Sequence, residues 1–361
     1  MHKILQLCHG RIIPEYSSAY AKRCNSLFNN SRIMSIGGLV YRDKSYNRVT
    51  QYHSYLLMIS SYLNGNRSFE IFLSQNRHVR KRYFNDVLNE IKKSDVIVFE
   101  GPWQYSIFKD YIDDKFIVYD AHNVEYLLRK NNIYQSYVME IEANLLKNAD
   151  VIISLSKKDI ENFVNIYNIK RDKIYYVPLT VLKKFDYNGI NSNYIVFIGS
   201  MYEPNIKALD FINDIAGNID IDFYIIGSVS SHKLRNKKKN VKLLGLVPED
   251  EKNKILSNAL FAINPVPTGS GRNLKMLDYI SHGLPVITTE PGLNGYEQYN
   301  IGKTVIVSGI NDFKNNIIKL LNNKELIKSM SNASFDLFSR IINEENSYSA
   351  DDIIENLMKR A

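Results

Sequence analysis

Residues 261–290 read FAINPVPTGSGRNLKMLDYISHGLPVITTE, and no other stretch constrains the fold as strongly. The short apolar run 261–264, bounded by proline, suits a buried parallel strand. Thr268, Gly269, Ser270 and Gly271 then form a turn with two glycines. After it Leu274, Leu277, Tyr279 and Ile280 recur at helical spacing until Gly283 and Pro285 stop the helix. Residues 286–288 resume as a strand. A strand, a glycine turn, a helix and a second strand make a parallel crossover, which belongs to α/β chains.

That unit favours an anion. A helix start leaves backbone N–H groups unpaired and carries partial positive charge. Glycines let the backbone approach a phosphate closely, and Arg272 and Lys275 add formal charge in the first turn. Lysine acts as a point charge and arginine as a planar fork. Asp278, two turns along, is a carboxylate able to accept from vicinal hydroxyls such as those of a ribose. The features together describe a nucleoside-diphosphate pocket. The same residues also fit an ordinary crossover with a flexible turn and a solvated basic face, and a short Gly-x-Gly pattern leaves both readings open.

The alternation of strand and helix extends through the chain. Strands are expected at 3–8, 33–39, 95–100, 116–120, 151–155 and 174–177 in the first half. In the second they are expected at 194–198, 221–226 and 241–244, before the opening stretch. Helices are expected from 19 onward, at 125–148 as one long helix, at 157–167, from 205, at 249–258 and over much of 311–361. Residues 42–80 are harder to read, and 55–62 fit helix or strand. At 361 residues the chain exceeds the size of most single cores. The expected architecture is α/β with two facing Rossmann-like domains, parallel sheets and an interdomain cleft. Residues 1–180 form the first domain, 181–193 a polar linker and 194–339 the second. A C-terminal helix over about 340–361 packs back on the first domain.

Composition narrows the function classes. Cys8 and Cys24 are the only cysteines, too few for a disulfide framework, and both read as packed thiols. No run of about 18 apolar residues suggests a spanning helix, and no signal peptide is visible, so a cytoplasmic protein is expected. The formal net charge is +8, concentrated at 77–82 and 233–239. Such runs meet anionic lipid, a phosphate-bearing acceptor or nucleic acid, or simply make a solvated face. The absence of interleaved aromatics in 233–239 argues against nucleic acid as a partner. Asp113 and Asp114 lie next to Lys115 in a surface-like turn, so no metal site is expected there. No Gly-x-Ser-x-Gly, His-Glu-x-x-His or Cys-x-x-Cys motif is present.

Several stretches, in order, carry a resemblance: His9-Gly10 to Ser18, Asp120-Ala-His-Asn-Val-Glu125, and 148–156. In the second half they are 197–205, 240–247, 269–278 and Gly283-Leu-Pro-Val286. With them the chain resembles retaining GT-B glycosyltransferases of the family-four, group 1 type. The resemblance covers nearly the whole chain and is strongest over 194–295. It implies that the C-terminal domain binds a nucleotide sugar and the N-terminal domain an acceptor. Gly269, Ser270, Gly271, Arg272, Asn273, Leu274 and Lys275 would hold the diphosphate, and Asp278 the ribose. Gly245, Leu246 and Val247 would flank the base, with Gly199 and Lys207 near the phosphates. In the first domain Gly10, Ser17 and Ser18 would close over the diphosphate or acceptor, and His122 would lie beside the donor sugar. His122, Arg272 and Lys275 are the catalytic candidates. A histidine at a strand end is equally at home in a turn.

Three departures from the family pattern stand out. Ser270 stands where a sugar-binding glutamate is usual, with Asp278 in place of the second glutamate. Ser200 follows Gly199 instead of arginine, and Leu179-Thr180 replaces an Asn-Gly turn. The resemblance further implies a front-face displacement with no cofactor and no metal. Its partners would be a nucleotide-sugar donor and a glycan, lipid-linked or glycoprotein acceptor. Peripheral membrane contact would run through basic residues near 77–83. The alternatives are an epimerase-like GT-B enzyme and a non-catalytic nucleotide- or nucleic-acid-binding homologue.

Overall fold

A computed structural model describes residues 2–10, 12, 19–37, 43–54, 59, 69–75, 80–129, 133–178, 183–269, 272–297, 299, 301–345 and 349–359. The chain divides into two compact units. Unit 1 comprises Met1–Leu179 and Tyr348–Ala361, and unit 2 is Thr180–Ser347.

Unit 1 is built on a sheet of β1 (Ile4–His9), β2 (Arg32–Gly37), β3 (Lys44–Tyr46), β4 (Val49–His53), β5 (Val96–Glu100), β6 (Phe116–Ala121), β7 (Val151–Ser154) and β8 (Ile174–Tyr176). Its order is β3-β4-β2-β1-β5-β6-β7-β8, parallel except where β3 pairs with β4. Val-Ile-Val-Phe-Glu of β5 is buried throughout because the sheet is covered on both faces. The two-residue period sorts its side chains. Ile97 and Phe99 pack beneath α3 (Lys81–Ile91), α6 (Gln135–Asn148) and α7 (Lys157–Tyr167). Val96 and Val98 face the other way, toward Phe28 and toward Ala350 and Ile354 of α13 (Ala350–Met358). The remaining helices of the unit are α1 (Ala19–Ser26), α2 (Phe69–Gln75), α4 (Tyr105–Phe108) and α5 (Glu125–Leu128).

Unit 2 carries β9 (Tyr194–Ile198), β10 (Asp222–Ile226), β11 (Val241–Gly245), β12 (Ala262–Asn264), β13 (Val286–Thr288) and β14 (Val305–Val307), in the order β11-β10-β9-β12-β13-β14. All the pairings are parallel. One face packs on α8 (Glu203–Ala216) and α11 (Phe313–Leu321) through Phe197, Ile225, Ile212 and Ile317. The other packs on α9 (Glu249–Asn258), α10 (Leu274–Ser281) and α12 (Lys324–Glu345) through Val196, Ala262, Leu277 and Ile341.

Among its parallel strands each sheet has one place where chain order reverses. In unit 1 it lies between β1 and β5, in unit 2 between β9 and β12. Ligands of open α/β sheets bind outside the carboxyl ends of the strands at such points.

Two elements differ from the sequence expectation, the helix over 125–148 and the linker. The single helix over 125–148 is two, because Arg129 leaves α5 with φ −106° and ψ 22°. There its guanidinium sits 4.4 Å over Trp103. The second strand ends at Gly37, and its expected extension over 38–39 lies outside the described residues, as does most of 55–62. Residues 183–193 run along unit 2. Phe185 stacks on His282 at 4.1 Å, and the Asn188 N–H donates to the Ser257 carbonyl.

The start of α7 matches its cap signal. Ser156 is extended, and its hydroxyl accepts from the Asp159 N–H at 3.3 Å. Ser156→Ala is expected to destabilise unit 1 by ~1 kcal/mol, read as a lower midpoint in urea at unchanged slope. An unchanged midpoint would remove the cap from the account.

Candidate functional site

Because the strands of unit 2 are parallel, their carboxyl ends deliver Gly199, Gly227, Gly245 and Asn264 to one sheet edge. Gly199 is tied there by its N–H to the Ile226 carbonyl, 2.9 Å, and by its carbonyl to the Val229 N–H, 3.1 Å. The Gly227 N–H donates to the Gly245 carbonyl at 2.7 Å. Leu246 follows with 58% of its surface exposed, and Val247 is partly buried. Asn294 meets the chain on either side of residues 270 and 271. Its side chain donates to the Gly269 carbonyl at 2.9 Å, and its own carbonyl accepts from the Asn273 N–H at 2.9 Å. Leu274 then opens α10. Ser270 and Gly271 lie outside the described residues.

Lys275 is the charge this edge presents. Its ammonium donates to Asn205 Oδ1 at 2.7 Å and Asn264 Oδ1 at 3.2 Å, and lies 4.7 Å over the Phe197 ring. Among the described residues no carboxylate pairs with it. Burial pushes its pKa down to about 7.

Arg272 and Lys207 are placed elsewhere than sequence reasoning expected. The Arg272 guanidinium is buried, 2.8 Å from Glu345 and 4.7 Å over the Tyr296 ring. One of its nitrogens is engaged by the carboxylate at the end of α12. Lys207 points outward from α8 and pairs with Glu203 one turn earlier at 2.7 Å. The Glu-x-x-x-Lys spacing signals such a pair. The Asp278 carboxylate lies 3.4 Å from the Lys252 ammonium, which also meets Glu249 at 3.1 Å.

In unit 1 the reversal point gathers a buried polar cluster. Gly10 turns with φ 74°, and its carbonyl accepts from Ser35 Oγ and Gln51 Nε2. Ser17 and Ser18 lie outside the described residues. His122, just past β6, has Nε2 2.9 Å from Glu100 Oε2 and 3.3 Å from Asp120 Oδ2. Arg23 of α1 grips Asp120 with two nitrogens, at 2.9 and 2.7 Å. Burial opposes charge on His122. Hydrogen bonds to Asp120, Cys24 and Glu100 outweigh it and hold the ring well above its usual range. Burial raises the Glu100 carboxyl, with repulsion from Asp120 adding to it. His9 goes the other way, pushed down to about 4 chiefly by burial. Its Nδ1 lies 3.0 Å from the Tyr20 hydroxyl. One edge thus holds a charged and a neutral imidazole, bridged by the Tyr20 ring at 4.7 and 4.8 Å from each. Glu142 fixes the segment that follows: it accepts from the Tyr119 and Tyr167 hydroxyls and from the N–H groups of Glu125 and Tyr126.

Among the described residues two side-chain groups have donor geometry for a metal: Cys8, Cys24 and Glu100, and Glu100, Asp120 and His122, their ligand atoms within 4.8 Å of one another. Burial raises both thiols, so they stay protonated and are poor ligands. Arg23, Gln6 and Cys24 already occupy the carboxylate oxygens. Sequence reasoning left out Glu100, Asp120, Arg23, Asn205 and Asn264. The available signal was a polar residue ending an apolar parallel strand, as in VIVFE and AIN.

Of the basic run near 77–83, residues 77–79 lie outside the described set. Arg80 pairs with Asp43, and Arg82 with Asp43 and Asp86 at 3.4 and 3.8 Å. Among the described residues no helix is long and apolar enough to cross a membrane.

Comparison with known proteins meets the expectation drawn from 194–295. Residues 192–323 match the family model described as Glycosyl transferases group 1. An uncharacterized glycosyltransferase of Methanocaldococcus jannaschii is 28% identical over 218 residues, 58% of this chain and 59% of that protein. The chain thus spans less than two thirds of that relative. Among solved structures, sucrose-phosphate synthase from Thermosynechococcus elongatus superimposes with a TM-score of 0.70 over 99% of this chain and 98% of that one, at 10% identity. Anabaena HepE in complex with UDP and glucose gives 0.67 over 99% and 100%, at 11% identity. The shared fold is GT-B.

Proposed function

We propose that this chain, a glycosyltransferase of the GT-B fold and group 1 type, moves a sugar from a nucleoside-diphosphate sugar to a glycan or lipid-linked acceptor, with retention and without a metal. The observation that carries the proposal is Lys275, a lysine at the first turn of α10 with no carboxylate partner among the described residues. A cation in that setting lacks a counter-anion, and a diphosphate supplies one. Asn273 and the α10 amides lie beside it. Asp278 faces the ribose hydroxyls, and Gly245, Leu246 and Val247 flank the base.

In the reaction the bond from the anomeric carbon to the phosphate oxygen breaks, and the acceptor oxygen bonds that carbon on the same face. The acceptor's proton passes to the leaving phosphate. Lys275 stabilises the negative charge that grows on the diphosphate, where a fixed cation in a dry site acts most strongly. In unit 1, His122, held as imidazolium by Glu100 and Asp120, is the other catalytic candidate. A nucleotide-sugar donor and two buried free thiols fit a cytoplasmic site of action.

The test is thermal denaturation with a panel of UDP, GDP and ADP and their sugars, led by the UDP series because HepE binds UDP and glucose. One series is expected to raise the melting point in proportion to the logarithm of its concentration, and its sugar to be hydrolysed slowly without acceptor. Protection by none of the three bases would end the proposal. A new sugar nucleotide formed with no acceptor present would indicate an epimerase instead.

A further inference from the structure

We infer that Asn205 and Asn264 are positioning residues, an uncharged clamp that aims the Lys275 ammonium at the donor's diphosphate without neutralising it. The inference rests on the donor-binding reading of this site.

Both carboxamides can offer the lysine only oxygen. The Asn205 NH2 donates to Ser200, at 3.1 Å to its carbonyl and 3.2 Å to its hydroxyl. A carbonyl cannot donate, so Asn205 cannot be turned round. The Asn264 NH2 approaches the Gly292 carbonyl at 3.4 Å. A Cβ on Gly292 would fall 2.6 Å from that nitrogen, so only glycine leaves Asn264 room for this pose. The two oxygens, from the start of α8 and the end of β12, converge on one ammonium from two sides. An ammonium has three N–H donors, and the described residues accept two. The third is left for a ligand oxygen.

The clamp also explains why the position is neutral. An aspartate at either site would hold the lysine as firmly, but it would form an ion pair that an incoming anion must break. The charged groups on the packed elements are engaged elsewhere or, like Asp214 of α8, exposed. Arg272 pairs with Glu345, Asp278 with Lys252, Glu203 with Lys207, and Asp210 with His232. β9 and β12 carry no charged residue. Burial alone therefore sets the pKa of about 7 at Lys275. Chain order makes the same point: Ser200, where arginine is usual in the resembled family, serves here to orient Asn205.

The sign of the pH dependence follows. The ligand binds the protonated lysine, so affinity is full below pH 7. It then falls by up to tenfold per unit as pH rises from 7 toward the higher pKa of the complex. UDP itself completes its ionisation near pH ~6 and does not contribute above 7.

Asn205→Asp and Asn264→Asp test this. Lys275 is titrated by NMR of the unmodified lysine side chain in protein labelled with 13C and 15N, and UDP affinity is measured by calorimetry from pH 6.5 to 9. In either variant the Lys275 titration is expected to move up by at least one pH unit. UDP affinity at pH 7 should fall about tenfold, and the decline above pH 7 should flatten. Two aspartate sites guard against one variant failing to fold, which circular dichroism reports. If the wild type binds UDP while both folded variants leave its affinity and pH profile unchanged, the clamp is wrong. If the Lys275 titration moves as expected while the wild type binds no nucleoside diphosphate, the clamp stands and the donor reading falls.

Discussion

Lys275→Ala is expected to weaken nucleoside-diphosphate binding roughly 10- to 100-fold at pH 7 while leaving the fold intact. A hydrogen bond to a charged group contributes about 1.5–3 kcal/mol, and about 1.4 kcal/mol is a factor of ten. The loss should sit near the upper end because the ammonium is already positioned, by Asn205 at 2.7 Å and Asn264 at 3.2 Å. Stability should change little. The lysine's own charge is disfavoured by burial, so removing it relieves a desolvation cost and offsets the two hydrogen bonds lost. The pH dependence separates this from a general defect. At pH 9 the wild-type lysine is largely neutral when free, so the gap between wild type and variant should narrow. Calorimetric titration with UDP at pH 7 and pH 9 checks both. Equal affinity of the two proteins at pH 7 would remove Lys275 from the donor site and with it the main support for the proposed function.

The contrast between Lys275 and Arg272 shows what the sequence could convey. The strands of both sheets were legible because parallel strands covered on two faces are continuous apolar runs, as in VIVFE and YIVFI. α10 was legible because spacing and stop signals are local. β3, β4 and β14 were not. β3 is fully exposed, β4 mixes Thr, Gln and His with apolar residues, and β14 has only three residues. The first two are edge or near-edge strands whose pairing is decided by neighbours across the sheet. The break in the helix expected over 125–148 depended on Arg129 meeting Trp103 and on Glu142 binding the amides of Glu125 and Tyr126. Those partners are far enough along the chain that no local pattern marks them. At the site, residue types suggested an anion, but side-chain direction was not readable. Lys207 could have been assigned to the surface from Glu203 four residues earlier. The partner of Arg272 is Glu345 on a different helix, and no short-range signal points to it.

Breaking that buried pair is expected to be the most damaging change to unit 2. Arg272 and Glu345 have fully buried side chains 2.8 Å apart, and the Tyr299 hydroxyl donates to the same carboxylate at 2.8 Å. Gly295 lets the arginine pass. A Cβ there would sit 2.6 Å from Arg272 Cγ, and its φ of 86° already favours glycine. Arg272→Ala or Glu345→Ala alone leaves one charge buried without its partner, at a cost of about 3–5 kcal/mol. With a melting shift of about 2–4 °C per kcal/mol for a domain of this size, a fall of roughly 6–20 °C is expected in scanning calorimetry. Arg272→Met combined with Glu345→Leu removes both charges and keeps the volume, so it should recover most of the loss. The shortfall would reflect the Tyr299 hydroxyl left without its acceptor. This pattern also decides between two roles for the arginine. A guanidinium that grips the diphosphate would, on truncation, cost UDP affinity and little melting temperature. A strut from the glycine turn to the end of α12 would cost melting temperature first, with the double variant restoring both stability and UDP binding. If Arg272→Ala keeps its melting temperature and loses UDP, the arginine turns to the ligand in solution and the buried ion pair is not the state that binds.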